Sequence, residues 1–527
     1  MNFKRNWLKI IALIGASFAI AGCKDSSAFV EYKPISEVVD KHEDIIGADG
    51  RYIRYGNFKS YPAIDWNKSG DDKTVLLGST YEVLTGYTGR NILEASGDKK
   101  ILVVPVEFSD YTIKNLGVSD EEYVSNLQKA FFGGVKNNKY VSVAEYYNRS
   151  SYGKLRISGK VCDKFYTFPK TVYELNTYNV YKNSRDPVSD CYDKVLTWYE
   201  DTYHESLDEF KDENSGDVAL YLVYTLPTEL NTSNPKFFWA YTFKDKLLSW
   251  SSYSVMNTLA GYPDAHTFIH EVGHLFGLED YYPTDESDVS NSVPEPAGRI
   301  DMMDCSVGDH TALSKMWLNW ARPYWAKDTC EIKINALVDS GELILINDSW
   351  NGSVFDEYYL VEFYSPSGLN YYDTNIGNNL AKLPTLPGVK IYHVDARLGY
   401  YTYDSSTKAT TFKYYCDDKG QRVTPEDKIS PSKTDKNINI VHNNSTNTEN
   451  KDGQPTLKNY LYELQLKNVG HSVAGCAENA NLFRTGDVFE DFTFNSNNLL
   501  SHPDYKITVS GMTYRDATIK IEKIIEK

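Results

Sequence analysis

The chain has 527 residues and 41% hydrophobic content, enough for two or three domains with globular cores. Its net charge of −17 argues against nucleic acid or an anionic membrane surface as a partner of the folded body. Tyrosine is abundant, at 42 residues, which suits strands and surfaces more than long helices.

Lys4, Arg5 and Lys9 open the chain, and an apolar run over residues 10–20 follows, too short for a comfortable membrane span. The run ends in Ile20-Ala21-Gly22-Cys23, which resembles the lipobox of bacterial lipoproteins. On that reading residues 1–22 are a signal peptide. Cys23 carries lipid, and the exported chain is anchored to a bacterial membrane. The alternative is a plain secretory signal with an incidental cysteine. Residues 23–95 are polar and read as a tether and lead-in segment; a short pro-segment fits there, but no residue demands it. Beyond Cys23, six cysteines remain, an even number that permits disulfides in an exported protein without defining a pairing. Cys305 reads as a free buried thiol.

From residue 96 the pattern is that of a mixed α/β domain. Residues 101–108 form an apolar run of buried-strand length. Residues 119–131 and 141–149 read as helices, Ser151-Tyr152-Gly153 as a turn, and 154–168 as an alternating strand. Asp186-Pro187 starts a helix to about Tyr203, with Val188, Cys191, Val195 and Trp198 on one face. Residues 218–226 read as a strand. Residues 235–243 read as an aromatic strand that either borders a cleft at a sheet edge or lies in the core.

The stretch His270-Glu271-Val272-Gly273-His274 carries the H-E-x-x-H spacing of a zinc-binding helix. Two histidines four residues apart stand on one helical face and can hold one ion together. Glu271 is turned about 100° around the helix, beside the ion and suited to its water. Gly277 can take a left-handed conformation, stop the helix and return the chain, so that Asp280 completes a His-His-Asp set with one position left open. Glu279 and Asp285 are rivals for that third place. Asp264 is a plausible helix cap, and His266 reads as a supporting or core histidine rather than a ligand. The polar loop over residues 281–300 could bind Ca2+ but reads first as solvated. A helix over 311–320 closes the domain.

The extended motif resembles the metzincin pattern, with Asp280 where the last histidine would stand. Followed by Tyr281 and Tyr282, it looks like the immune inhibitor A family of secreted bacterial zinc metallopeptidases. Residues 104–110, 142–155, 357–362, 387–395 and, more weakly, 482–487 also resemble that family, so the likeness spans roughly residues 100 to 400. It implies a metzincin-like catalytic domain over 96–325 with a Met-turn at Asp301-Met302-Met303-Asp304. Met303 would lie beneath the metal, with Met302 as the alternative. It implies hydrolysis of peptide bonds in extracellular proteins, with Zn2+ on His270, His274 and Asp280 and with Glu271 as general base. Tyr281, Tyr282 and His310 are candidate oxyanion donors. Competing readings are a binding lipoprotein or adhesin with a vestigial metal site, and a zinc enzyme acting on another bond, such as a glycan acyl group.

From about residue 326 short runs at 331–334, 342–346, 357–364, 389–394, 460–466, 505–509 and 517–522 read as strands of an all-β second domain over 326–527. Residues 402–456 read mostly as a polar insertion or flexible loop. His393 and Asp395 read as one polar strand face. The fold class expected is α+β.

Overall fold

A computed structural model describes residues 92–133, 141–177, 186–227, 238–243, 246–253, 263, 265–282, 297–304, 306–318, 320–348, 350, 354, 356–375, 384–396, 398–403, 410–414, 438–440, 462–465, 467, 477–492 and 504–524. The signal peptide, Cys23, Asp264, Asp285, Cys305 and most of the 281–300 loop lie outside these residues. The class is α+β, with several sheets and few helices.

The first sheet has the order β2-β1-β4-β6-β5, where β1 is Gly97–Glu107, β2 Leu155–Val161, β4 Leu220–Tyr224, β5 Tyr241–Thr242 and β6 Leu248–Ser252. Strand β3, Tyr166–Thr167, adds beside β1. β1, β2, β4 and β6 run parallel, and β5 closes one edge antiparallel to β6. Side chains alternate across a strand, so β1 and β4 feed two cores. Ile101, Val103, Tyr221 and Val223 enter one core, against the helices Asp120–Phe132, Val143–Ser150 and Ala265–Leu275. Leu102, Val104, Leu220 and Leu222 enter a second, against the helix Tyr192–Tyr203. Ser119 and Ser142 cap the first two helices by accepting from Glu122 N and Glu145 N, as expected of a serine at that position. The helix expected from Asp186-Pro187 begins later: Asp186 accepts from Val188 N ahead of a 3-10 turn, Ser189–Cys191, and the α-helix starts at Tyr192; Val188, Cys191 and Val195 are buried, Trp198 only partly.

Beyond residue 320 a sheet of order β15-β11-β10-β9-β7 packs on one of order β16-β17-β18-β8. Their ranges are Arg322–Ala326 (β7), Cys330–Asn335 (β8), Glu342–Ile346 (β9), Glu357–Tyr364 (β10), Gly388–Asp395 (β11), Tyr462–Gln465 (β15), Val488–Phe489 (β16), Asp504–Met512 (β17) and Asp516–Ile524 (β18). Pairing within them is antiparallel except between β7 and β9.

The expected division near residue 325 is not a break in the core. On β9, Ile344 and Ile346 face the outer sheet, while Leu343 and Leu345 join the same core as Val103, Tyr147 and Met303. Two buried ion pairs stand beside this junction: Lys315–Asp309 at 2.8 Å and Lys390–Glu362 at 2.7 Å. Glu362 on β10 also accepts from Ala312 N, at the start of the helix Ala312–Trp317.

The stretch expected as a polar insertion contains two strands, Thr410–Tyr414 (β13) and Ile438–Ile440 (β14), each paired with Leu398–Tyr403 (β12) at its start. His393 and Asp395, read as one polar strand face, are both buried on β11. His393 is bonded to Glu357 at 2.9 Å and stacked on Tyr359. Cys162, Cys191 and Cys330 are free, buried thiols whose pKa burial pushes up to about 12, 11 and 12.

Candidate metal centre

The helix Ala265–Leu275 turns Ala265, Phe268, Ile269, Val272 and Leu275 into the core, an i, i+3, i+4, i+7 stripe. Phe268 stacks on Phe131 with ring centroids 4.7 Å apart. The opposite face carries His270, Glu271 and His274 to an open pocket of about 140 Å³. The pocket is also lined by Ala240, Tyr241, Thr242 and Phe243 from the sheet edge, and by Glu279, Asp280 and Tyr282 from the returning chain.

The return begins at Gly277, whose φ is +85°. Leu278 N donates to Gly273 O and Gly277 N to His274 O, closing the helix in a Schellman turn. The Leu278 carbonyl then accepts from His274 Nδ1 at 2.7 Å. On the other imidazole, Nδ1 donates to the Met302 carbonyl at 2.9 Å. A carbonyl can only accept, so Nδ1 of each ring carries a proton; each Nε2 faces the pocket as an N–H donor while its ring is protonated and as a lone pair once that proton is displaced. The Asp280 carboxylate meets them, with Oδ1 2.9 Å from His270 Nε2 and 3.4 Å from His274 Nε2.

The 3.4 Å separation matches a tetrahedral ion, whose ligands at 2.0–2.1 Å lie about 3.3 Å apart, whereas the 2.9 Å separation is a hydrogen-bond distance that would open by a few tenths of an ångström around an ion. Burial alone would lower the His274 pKa, but the Asp280 charge raises it to about 9. For His270, too, burial pulls the pKa down and the Asp280 hydrogen bond outweighs it. Burial opposes ionisation of Asp280, yet the two imidazoles hold its pKa far below the usual carboxylate range. The three side chains thus favour a positive charge among them, one that a divalent cation can supply in place of a proton.

The ligand-type atoms of His270, Glu271 and His274 also lie within 4.8 Å of one another. Direct contact nevertheless favours Asp280 as the third donor, since the Glu271 carboxylate is held by the Thr242 hydroxyl at 3.0 Å. Burial raises the Glu271 pKa, against the pull of the two imidazoles.

Beneath the helix, Met303 is fully buried, and a Cβ on Gly273 would lie 2.5 Å from its Sδ. Asp301 shapes this turn. It accepts from Met303 N at 2.8 Å, from Thr311 N at 2.8 Å and from Ser314 Oγ at 3.0 Å. Burial would raise the Asp301 pKa; these donors and His310 hold it at about 2. Met302 also has a place here, through its carbonyl on His270.

The candidate oxyanion donors separate. Tyr282 lines the pocket and stacks on His270, with centroids 6.4 Å apart. Tyr281 does not reach the pocket: it is buried, its phenol O–H can donate to Ser314 Oγ 3.1 Å away, and its main-chain N–H donates to Met303 O. His310 is also enclosed, between Tyr146, Tyr147 and Trp320, with Nδ1 3.4 Å from Asp301. Both support the turn under the helix instead of facing the pocket. His266 stands a turn before His270 and does not line the pocket.

Thr242 and Ser249 are the residues that sequence reasoning missed. They sit opposite one another on β5 and β6. Thr242 gives one signal in the sequence, a polar residue between Tyr241 and Phe243; Ser249 gives none, being one of three serines around Trp250. The chain matches no protein-family model, and no curated protein matches it.

Proposed function

We propose that this chain is a zinc-dependent endopeptidase with a metzincin-like catalytic core, anchored at the cell surface through lipid on Cys23. The observation that carries the reading is the meeting of His270 Nε2, His274 Nε2 and Asp280 Oδ1 beside the Glu271 carboxylate in an open pocket. His270, His274 and Asp280 would hold the ion. Zinc bound there would acidify a water and polarise the carbonyl under attack. Glu271 accepts the proton of the attacking water on its carboxylate and passes it to the leaving amine. Tyr282 is the pocket phenol suited to donate to the oxyanion. The main chain of an extended peptide adds to β5, the terminal strand of its sheet, which runs along the pocket. Extracellular proteins are the substrate class. For the anchor, Cys23→Ala should release the chain from the membrane fraction.

The test is hydrolysis of a broad peptide library, with and without a chelator, by the unaltered protein and by Glu271→Gln. The Gln variant keeps shape and zinc and loses the base, so cleavage should fall about 100- to 10,000-fold. If Glu271→Gln binds zinc and cleaves at the original rate, this mechanism is wrong. If the zinc-loaded unaltered protein cleaves no peptide, the chain is a binding lipoprotein or acts on another bond.

A further inference from the structure

The proposed general base has a holder on the strand where the substrate would lie. Thr242 Oγ1 lies 3.0 Å from Glu271 Oε2 and 2.9 Å from the Glu271 carbonyl, and 2.8 Å from Ser249 Oγ. Thr242 has one hydroxyl proton for these acceptors. The carboxylate carries the most negative charge, so it is the stronger acceptor. Ser249 can donate to Thr242 Oγ1, which leaves the Thr242 proton free for Glu271. Glu271 is 3% exposed, so a carboxylate there has few other ways to be fixed in direction.

Resting on the peptidase reading, we infer that Thr242 is a positioning residue that aims the Glu271 carboxylate, and that Ser249 orients Thr242. The strand that receives the substrate main chain would then also hold the base. A displacement of Tyr241–Thr242 on binding would move the carboxylate with it, which links peptide alignment to the proton transfer.

The experiment uses the full, zinc-loaded chain and a peptide it cleaves. Thr242→Val keeps the shape and removes the hydroxyl, whereas Thr242→Ser keeps the hydroxyl. A hydrogen bond to a charged group and correct aim of a base together correspond to a drop of about 10- to 100-fold in kcat for Thr242→Val. KM, zinc content and melting temperature should stay near those of the unaltered protein, and Thr242→Ser should retain most of kcat. In a Glu271→Gln background, Thr242→Val should add little, because its target is gone. A merely structural threonine would lower both backgrounds alike, or would change KM and stability together. Either of those results, or an unchanged kcat in Thr242→Val while the unaltered protein is active, overturns the inference and leaves the peptidase reading standing. Should the unaltered zinc-loaded protein be inactive, both fall.

Discussion

Asp280 Oδ1 touches both imidazole nitrogens, whereas its neighbour Glu279 only lines the same pocket. Zinc titration should therefore show affinity lost strongly in Asp280→Ala and nearly intact in Glu279→Ala. The reverse order would reassign the ligand. Asp373 gives a second test at this scale. It is buried and accepts from Ser306 Oγ and Val307 N, just beyond the Met303 turn. Burial raises its pKa to about 6, above the ordinary carboxylate value. A folded-state pKa raised in this way gives stability that is present below the unfolded pKa and lost as pH rises through the folded one. Asp373→Asn should therefore flatten the change in melting temperature between about pH 4 and pH 6. An unchanged slope across that window would show that Asp373 does not titrate there.

The helix Ala265–Leu275 depends on two glycines for different reasons. Gly273 leaves room for Met303, and Ala in its place should cost about 1–3 kcal/mol through overpacking. Gly277 holds the left-handed turn that returns Asp280, and Ala there should cost about 1–2 kcal/mol and weaken zinc retention as well. Denaturant melts and zinc content on the same preparations separate the two effects, since only the second change acts on the ligand-bearing return. Much at this scale was legible beforehand. H-E-x-x-H named three residues that the fold brings to the candidate site, and Gly277 pointed to the return of Asp280 beside them, because helix period and left-handed backbone are local properties. Strands Glu342–Ile346 and Glu357–Tyr364 followed from short apolar runs, the second interrupted only by Glu362. Strand Leu248–Ser252 did not, because three of its residues are serines whose hydroxyls find partners only after folding. Ser251 accepts from Tyr221, and Ser252 donates to Leu226 O. Arg322–Ala326 was hidden by Pro323, which reads as a strand breaker. Thr242 meets Glu271 across 29 residues of chain, a contact that no local pattern encodes.

For the whole molecule, the shared core has a direct consequence. Residues 96–325 alone would lack Leu343, Leu345, Tyr358 and Leu360, which complete the core that also holds Met303, Tyr147 and Val103. This fragment should express poorly or lack cooperative unfolding by circular dichroism, while the chain extended to residue 527 should melt cooperatively. A well-folded, zinc-binding 96–325 fragment would contradict this. The same sheet also sets where the chain tolerates a change of length. β9 lends alternate residues to two cores, Leu343 and Leu345 to one and Ile344 and Ile346 to the other. Inserting one residue there would exchange the two sets and mismatch both interiors at once. Related sequences should therefore be free of insertions and deletions within β9, however far their side chains diverge.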